Sequence, residues 1–155
     1  MKKLKNVLIF GSLFLIADQM LKIILSDRLA FNQSYLLIKN LLYINLVHNT
    51  GAAFGIFEGS RLLLIFVAIF ALIAICIFVI GNDNLRDKDI LIYSLLVGGI
   101  LGNLVDRIIH GYVIDYISLT FGKFNFPVFN FADICITLSI IILLLDTILG
   151  STIDN

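Results

Sequence analysis

The chain has 155 residues, 60% hydrophobic and 14% charged, with one proline, no tryptophan and a mean hydropathy of +1.05. A soluble domain covers its core with polar side chains and does not reach such values, so the composition describes a membrane protein. Eleven basic residues balance eleven acidic ones; no cationic surplus is left to follow a phosphate backbone, and nothing suggests a nucleic-acid partner.

Crossing a bilayer takes roughly 20 mainly apolar residues at about 1.5 Å rise each, and four stretches qualify. The first, Val7–Leu25, is apolar as far as Ala17 and then carries Asp18, Gln19 and Lys22. Its beginning, "MKKLKNVLIFGSLFLIA", has the basic start and apolar core of a signal peptide. No small-x-small cleavage site follows, however, and the hydrophobic stretch resumes after Lys22, so it is expected to remain as a span. Asp18 and Lys22, four residues apart, share one helix face. Either they form a self-satisfied ion pair near the interface with Lys22 reaching outward, or Asp18 braces polar groups of another helix.

Next come "LLYINLVHN", β-branched and aromatic as in a small interfacial sheet, and "HNTGAAFG" (His48 to Gly55). The latter is either a plain turn or a segment whose small residues, Gly51 among them, let backbone come close to backbone or ligand. The second span, Leu62–Ile80, is 19 residues without a charge or amide. It can face lipid on all sides and reads as scaffold.

After the mixed-charge loop "NDNLRDKD", the third span, Ile90–Ile109, ends in "GNLVDRII". Ser94, Gly98, Gly102 and Asp106 recur every four residues on one stripe, with Gly99, Asn103 and Arg107 alongside. The stripe is either a packing seam ending in an interfacial charge pair or the wall of a polar site. Asn103, one turn inside the apolar edge, needs partners that Asp18 or Asn49 could supply. "YVIDYISLTFGKFNF" follows, again suited to a sheet or cradle with a Gly-Lys turn, and holds Asp115. The fourth span, Phe131–Leu149, opens with Asp133 just after Asn130, a candidate helix cap.

The expected architecture is therefore all-α and membrane-embedded: one domain over residues 1–155, with four transmembrane helices and a β-rich cradle on the outer face. Lys2, Lys3 and Lys5, with Arg86 and Lys88, place both termini in the cytoplasm by the positive-inside rule. Arg28, Lys39, Arg61 and Lys123 are spread more thinly over the longer outer segments. In this orientation Asp18, Lys22, Asn49, Asn103, Asp106, Arg107, Asn130 and Asp133 all fall near the outer face. Polar groups at membrane depth cost a few kcal/mol each, so their clustering from several segments argues for one site.

Asp115 and Asp133 together suggest a carboxylate dyad, in which one group holds a proton as general acid while the other activates water. Alone, Asp133 reads equally as a capping-turn acid. His-Glu-x-x-His and Gly-x-Ser-x-Gly motifs are missing, and His48 and His110 lack metal-ligand spacing. Cys76 and Cys135 should lie about 20 Å apart along the membrane normal, as two small hydrophobes and not a disulfide. Two rivals remain: a proton- or cation-coupled transport protein relaying through Asp18, Asp106, Asp115 and Asp133, and a non-catalytic lipid-binding protein.

"DQMLK" (Asp18 to Lys22), "NTGAAFG" (Asn49 to Gly55), "GGILGNLVDR" (Gly98 to Arg107), "GYVIDY" (Gly111 to Tyr116) and "FPVFNFAD" (Phe126 to Asp133) resemble, in order and over nearly the whole chain, the signature blocks of the lipoprotein signal peptidases, signal peptidase II. Met20, Leu21, Ile114 and Tyr116 depart mildly from that pattern. The resemblance implies a bacterial cytoplasmic-membrane aspartic endopeptidase, working as a monomer with no metal or organic cofactor. Its substrates would be diacylglyceryl-modified prolipoproteins within the membrane lipid, cut just before the lipidated Cys. By motif match Asp115 and Asp133 would be catalytic. Asn49, Asn103, Arg107 and Asn130 would hold the substrate main chain and orient the pair, with Asp18, Lys22, Gly51 and Asp106 in support.

Overall fold

A single apolar segment can satisfy its backbone in hydrocarbon only as a helix, and each of the four apolar stretches lies in one. The computed structural model describes residues 1–30, 33–52 and 56–153, with side chains as far as 149. In chain order the elements are α1 (Lys2–Arg28), β1 (Ser34–Ile38), β2 (Leu42–Asn49), α2 (Arg61–Gly81), α3 (Asp87–Ile109), β3 (Val113–Phe121), β4 (Phe124–Asn125) and α4 (Phe131–Ile153). All four helices are long and apolar enough to cross a membrane. Ala53, Phe54 and Gly55 of the "NTGAAFG" block lie outside the described residues.

The bundle is inside-out relative to a soluble protein. α2, with the most apolar sequence, buries only Val79, and most of its large side chains, Phe66, Phe70 and Ile77 among them, are exposed, while Leu72 and Ile75 pack inward. α3 buries eleven residues, among them Ser94, Gly98, Gly99, Gly102, Asn103 and Asp106, and packs against α1, α2 and α4. Small residues permit these approaches. A Cβ on Gly98 would lie 2.6 Å from Phe14 Cβ and 2.7 Å from the Gly11 carbonyl, both on α1. On Gly99 it would lie 2.6 Å from the Ala132 carbonyl on α4.

At the end away from the sheet, Val7, Val79, Leu85, Ile90 and Val97 form an apolar cluster. There the Asp89 carboxylate accepts from both the backbone N and the guanidinium of Arg86 at the start of α3, Arg86 and Lys88 both pair with Asp146 of α4, and Lys3 donates to the Asp83 carbonyl. These contacts bring the starts of α1 and α3 and the far end of α4 to one side. Cys76 and Cys135 are free thiols.

The strands form one antiparallel sheet in the order β1-β2-β3-β4. "LLYINLVHN" supplies β2 and "YVIDYISLTFGKFNF" supplies β3 and β4, turning at Gly122 with φ +61°. β1 is an edge strand exposed throughout, which sequence reading had not assigned; it reverses into β2 at Asn40, φ +60°. After β4, residues 126–129 run back along β3: Ile117 N donates to Phe129 O at 2.8 Å and Phe129 N to Ile117 O at 3.0 Å. That return sets the first turn of α4 beside the middle of β3.

Candidate active site

Asp115 lies on β3 opposite Val47, and Asn49 lies opposite Val113. Two residues along a strand is one full period, so Asn49 and Asp115 project from the same face as diagonal neighbours. Asn49 Nδ2 donates to Asp115 Oδ2 at 2.9 Å, while its Oδ1 accepts from Gly51 N, also at 2.9 Å. The other Asp115 oxygen accepts from Asn130 Nδ2 at 2.7 Å. Both oxygens of this carboxyl, 2% exposed, are thus held by amides.

Asn130 caps α4 reciprocally with Asp133, three residues on: Asp133 N donates to Asn130 Oδ1 at 3.0 Å, and Asn130 N to Asp133 Oδ2 at 3.1 Å. The capping role open to Asp133 is therefore real, but it occupies one oxygen only. Asp133 Oδ1 accepts from Asn103 Nδ2 at 2.7 Å, and Asn130 Nδ2 also reaches Asn103 Oδ1 at 3.0 Å. Asn130 thereby touches one aspartate through its side-chain amide and the other through its backbone.

Behind this layer is a buried charge cluster. Lys22 Nζ sits 2.8 Å from Asp18 Oδ2, 2.9 Å from Asp106 Oδ2 and 3.3 Å from Asn103 Oδ1. Lys22 is 1% exposed, so it does not reach outward to the interface; two carboxylates on the bundle side outweigh the pull of water. Asp18 Oδ1 accepts from Ala132 N, and Asp106 Oδ2 from Ile114 N, each at 3.0 Å. Each acid of the cluster therefore grips the backbone one residue before Asp133 or Asp115. Asp18 thus holds the backbone of α4 directly and meets the polar groups of α3 through Lys22, which it shares with Asp106. A Cβ on Gly102 would come 2.5 Å from Asp18 Oδ2, which explains the glycine at that point of the stripe.

Asn103 does not take Asp18 or Asn49 as partners; it bonds Lys22, Asn130 and Asp133. Arg107 Nη2 donates to the Gly51 carbonyl at 2.9 Å and Nη1 to the Asn103 carbonyl at 3.3 Å, tying the segment after β2 to α3. Three participants were not assigned to the site from sequence. Gln19 Nε2 bonds Asp106 Oδ1 at 2.9 Å and the Gly102 carbonyl at 3.2 Å. Tyr116 Oη accepts from Phe131 N at 3.2 Å. Arg61 caps the end of α3 by donating to the carbonyls of Arg107 and Ile108. Only Gln19, an amide within an apolar span, carried a signal.

A cavity of about 640 Å³ opens on both aspartates and is lined also by Asn49, Asn103 and Arg107, with Phe121, Phe126, Phe129, Ile134 and Leu138. Burial, first, and then the negative charge of Asp133 push the Asp115 carboxyl up to about 7. Near neutrality this group therefore still carries a proton part of the time, which suits proton exchange with a substrate or water. His48, stacked on Tyr112 at 3.9 Å between ring centroids, is held below its usual range by desolvation and by His110. Among the described residues no group of His, Cys, Asp and Glu is arranged to hold a metal ion.

The lipoprotein signal peptidase of Staphylococcus carnosus (strain TM300) is 35% identical over 137 residues, covering 88% of this chain and 86% of that protein. That of Wigglesworthia glossinidia brevipalpis is 39% identical over 149 residues, covering 92% and 93%. Two bacterial membrane enzymes solved by the in meso method superimpose with TM-scores of 0.89 and 0.82, at 28% and 30% identity. They cover 97% and 92% of this chain, and 92% of each solved chain. Residues 10–149 match the family described as signal peptidase (SPase) II, and with that span covered the chain belongs to the signal peptidase II family.

Proposed function

We propose that this protein is a multi-pass membrane aspartic endopeptidase. On this reading it removes the signal peptide from prolipoproteins, cutting just before a cysteine that carries diacylglycerol. The single observation that carries the catalytic part is that Asp115 and Asp133 line one cavity and share Asn130 as hydrogen-bond donor. Of the pair, the protonated carboxyl donates to the oxygen of the scissile carbonyl. The ionised one takes a proton from water as the water oxygen attacks the carbonyl carbon. The carboxyl that took water's proton gives it to the nitrogen as the C–N bond breaks, and the other takes its proton back from the tetrahedral hydroxyl, which leaves an amine, a carboxylic acid and the pair with one proton. Neither carboxyl is assigned a fixed role.

Asn49, Asn103 and Asn130 fix the carboxyl orientations by the bonds given above, and Arg107 holds the segment through Gly51 near the substrate main chain. Asp18, Lys22 and Asp106 support both aspartates from behind. The peptidase works as a monomer in the bacterial cytoplasmic membrane, with both termini cytoplasmic and the site near the outer face. Transport is disfavoured because the spans carry no carboxylate between the sheet end and the opposite end of the bundle. Asp18, Asp106, Asp115 and Asp133 gather at the sheet end, while Asp89 and Asp146 at the other end are paired with Arg86 and Lys88.

The test is to incubate the purified protein with matched precursors, with and without the diacylglyceryl group. Acyl burial contributes about 0.8 kcal/mol per buried CH₂, so the lipidated precursor should release its signal peptide and the unmodified one should be cut poorly. Equal cleavage of both would remove the lipid from the reading.

A further inference from the structure

A second cavity, of about 310 Å³, adjoins the first. Asn49, Ala52, Asp115, Pro127 and Val128 border both, so Asp115 stands in the partition between them. The two compartments differ in chemistry. The first is walled by phenylalanine, isoleucine and leucine, and the second by His48, Thr50 and Glu58.

Glu58 is presented there by a constrained turn. The residues on either side of it have positive φ, +60° at Phe57 and +75° at Gly59, and Ser60 N closes the turn on Phe57 O at 2.9 Å. A non-glycine residue persists in that region of φ only where surrounding contacts over-determine it. Gly51 provides such contact: a Cβ there would lie 2.9 Å from the Ile56 carbonyl and 3.3 Å from Glu58 Cα. Ala52 N bonds Ile56 O at 2.7 Å, and Arg107 holds the Gly51 carbonyl. The turn carrying Glu58 is thereby fixed to the segment that begins at Asn49.

We infer that the second cavity receives the residues that follow the lipidated cysteine in the substrate, and that Glu58 selects a cationic side chain there. This rests on the proposed activity. A substrate whose bond is cut over Asp115 has an apolar part, signal peptide and acyl chains, and a polar part, the mature chain. The two compartments match those two parts. Asp115 and Glu58 line the same cavity, so a chain that continues from the cut bond into it passes Glu58 within its first few residues, and the second and third after the cysteine are the ones to vary.

The test uses lipidated precursors that differ only in carrying Lys or Asp at the second or third position after the cysteine. They are cut by the full-length protein and by its Glu58→Gln and Glu58→Lys variants, with kcat/KM as the readout. The wild type should prefer the Lys precursor over the Asp precursor by about threefold at low salt, as for an exposed charge pair, and the preference should shrink as salt screens it. Glu58→Gln should flatten the ratio and Glu58→Lys invert it. If the precursors are cut with the same ratio by wild type and Glu58→Lys, the assignment of Glu58 is overturned while the activity stands. If the wild type cuts neither precursor, the peptidase reading falls and this inference with it.

Discussion

Among the described residues Asp115 accepts from two amide donors and from no cation, although Lys22 and Arg107 belong to the same end of the bundle. Lys22 is engaged by Asp18 and Asp106, and Arg107 by two backbone carbonyls. A lysine or arginine placed against the carboxyl would hold it ionised; amide donors fix its orientation while leaving the proton exchangeable. Its raised value, about 7 against 3.8, has a stability consequence of definite sign. The folded protein keeps this proton to higher pH than an unfolded chain does. The group therefore favours folding most below 3.8, and that contribution is lost as pH rises through about 7. Activity should decline over the same upper limb, as Asp115 loses its proton. Since burial is the larger cause and Asp133 the second, Asp133→Asn should lower the protonation midpoint of Asp115 without returning it to 3.8. The carboxyl infrared band followed against pH would show this, and a midpoint unchanged or raised would contradict it.

At the scale of elements, α3 is the organiser, and its glycines make its packing specific. Gly102 faces the carboxyl of Asp18 and the Cβ of Ala132, neither of which can retreat from the buried cluster. Gly102→Ala should therefore destabilise by about 1–3 kcal/mol and lower activity by displacing the start of α4. Gly81, at the end of α2, has nothing within 4 Å of a built Cβ. Gly81→Ala should be neutral or stabilising by up to about 1 kcal/mol. Thermal unfolding of both variants in detergent, beside their activity, separates the two. The four-residue recurrence from Ser94 to Asp106 was legible in the sequence because helical period alone puts those positions on one face. The partners of Asn103 were not. Period says which residues share a face, but which neighbouring helix meets that face depends on the register between segments remote in the chain. β1 escaped for a different reason: "SYLLI" is five residues, exposed on both faces, and has no alternation from which a half-buried strand could be read. Lys22 was misjudged in one of its two readings because a lysine near a helix end ordinarily extends toward water; only the tertiary meeting of Asp18 and Asp106 reverses that preference.

For the whole molecule, chemistry and anchoring occupy opposite ends. The Asp18, Lys22 and Asp106 cluster, Asp115, Asp133 and the two cavities lie beside the sheet, and the Arg86, Lys88, Asp89 and Asp146 pairs close the other end. If the sheet end is outside, cysteines placed at Lys39 and Lys123 should react with an impermeant maleimide applied to intact cells, and one at Lys88 only after permeabilisation. The reverse pattern would invert the proposed orientation. Composition made the four helices legible, and the two β-rich segments gave most of the sheet. The meeting of Asp115 with Asp133 depends on something composition does not carry: residues 126–129 returning along β3, which brings Asn130 between them. The central claim is that these two carboxyls together activate water. Its most direct test is signal-peptide release from a diacylglyceryl-modified prolipoprotein by purified Asp115→Asn and Asp133→Asn proteins whose thermal unfolding matches the wild type. Each substitution should lower the rate by about 10²-fold or more, in keeping with loss of a general acid or base; a well-folded variant of either kind that cuts at near wild-type rate would contradict the dyad.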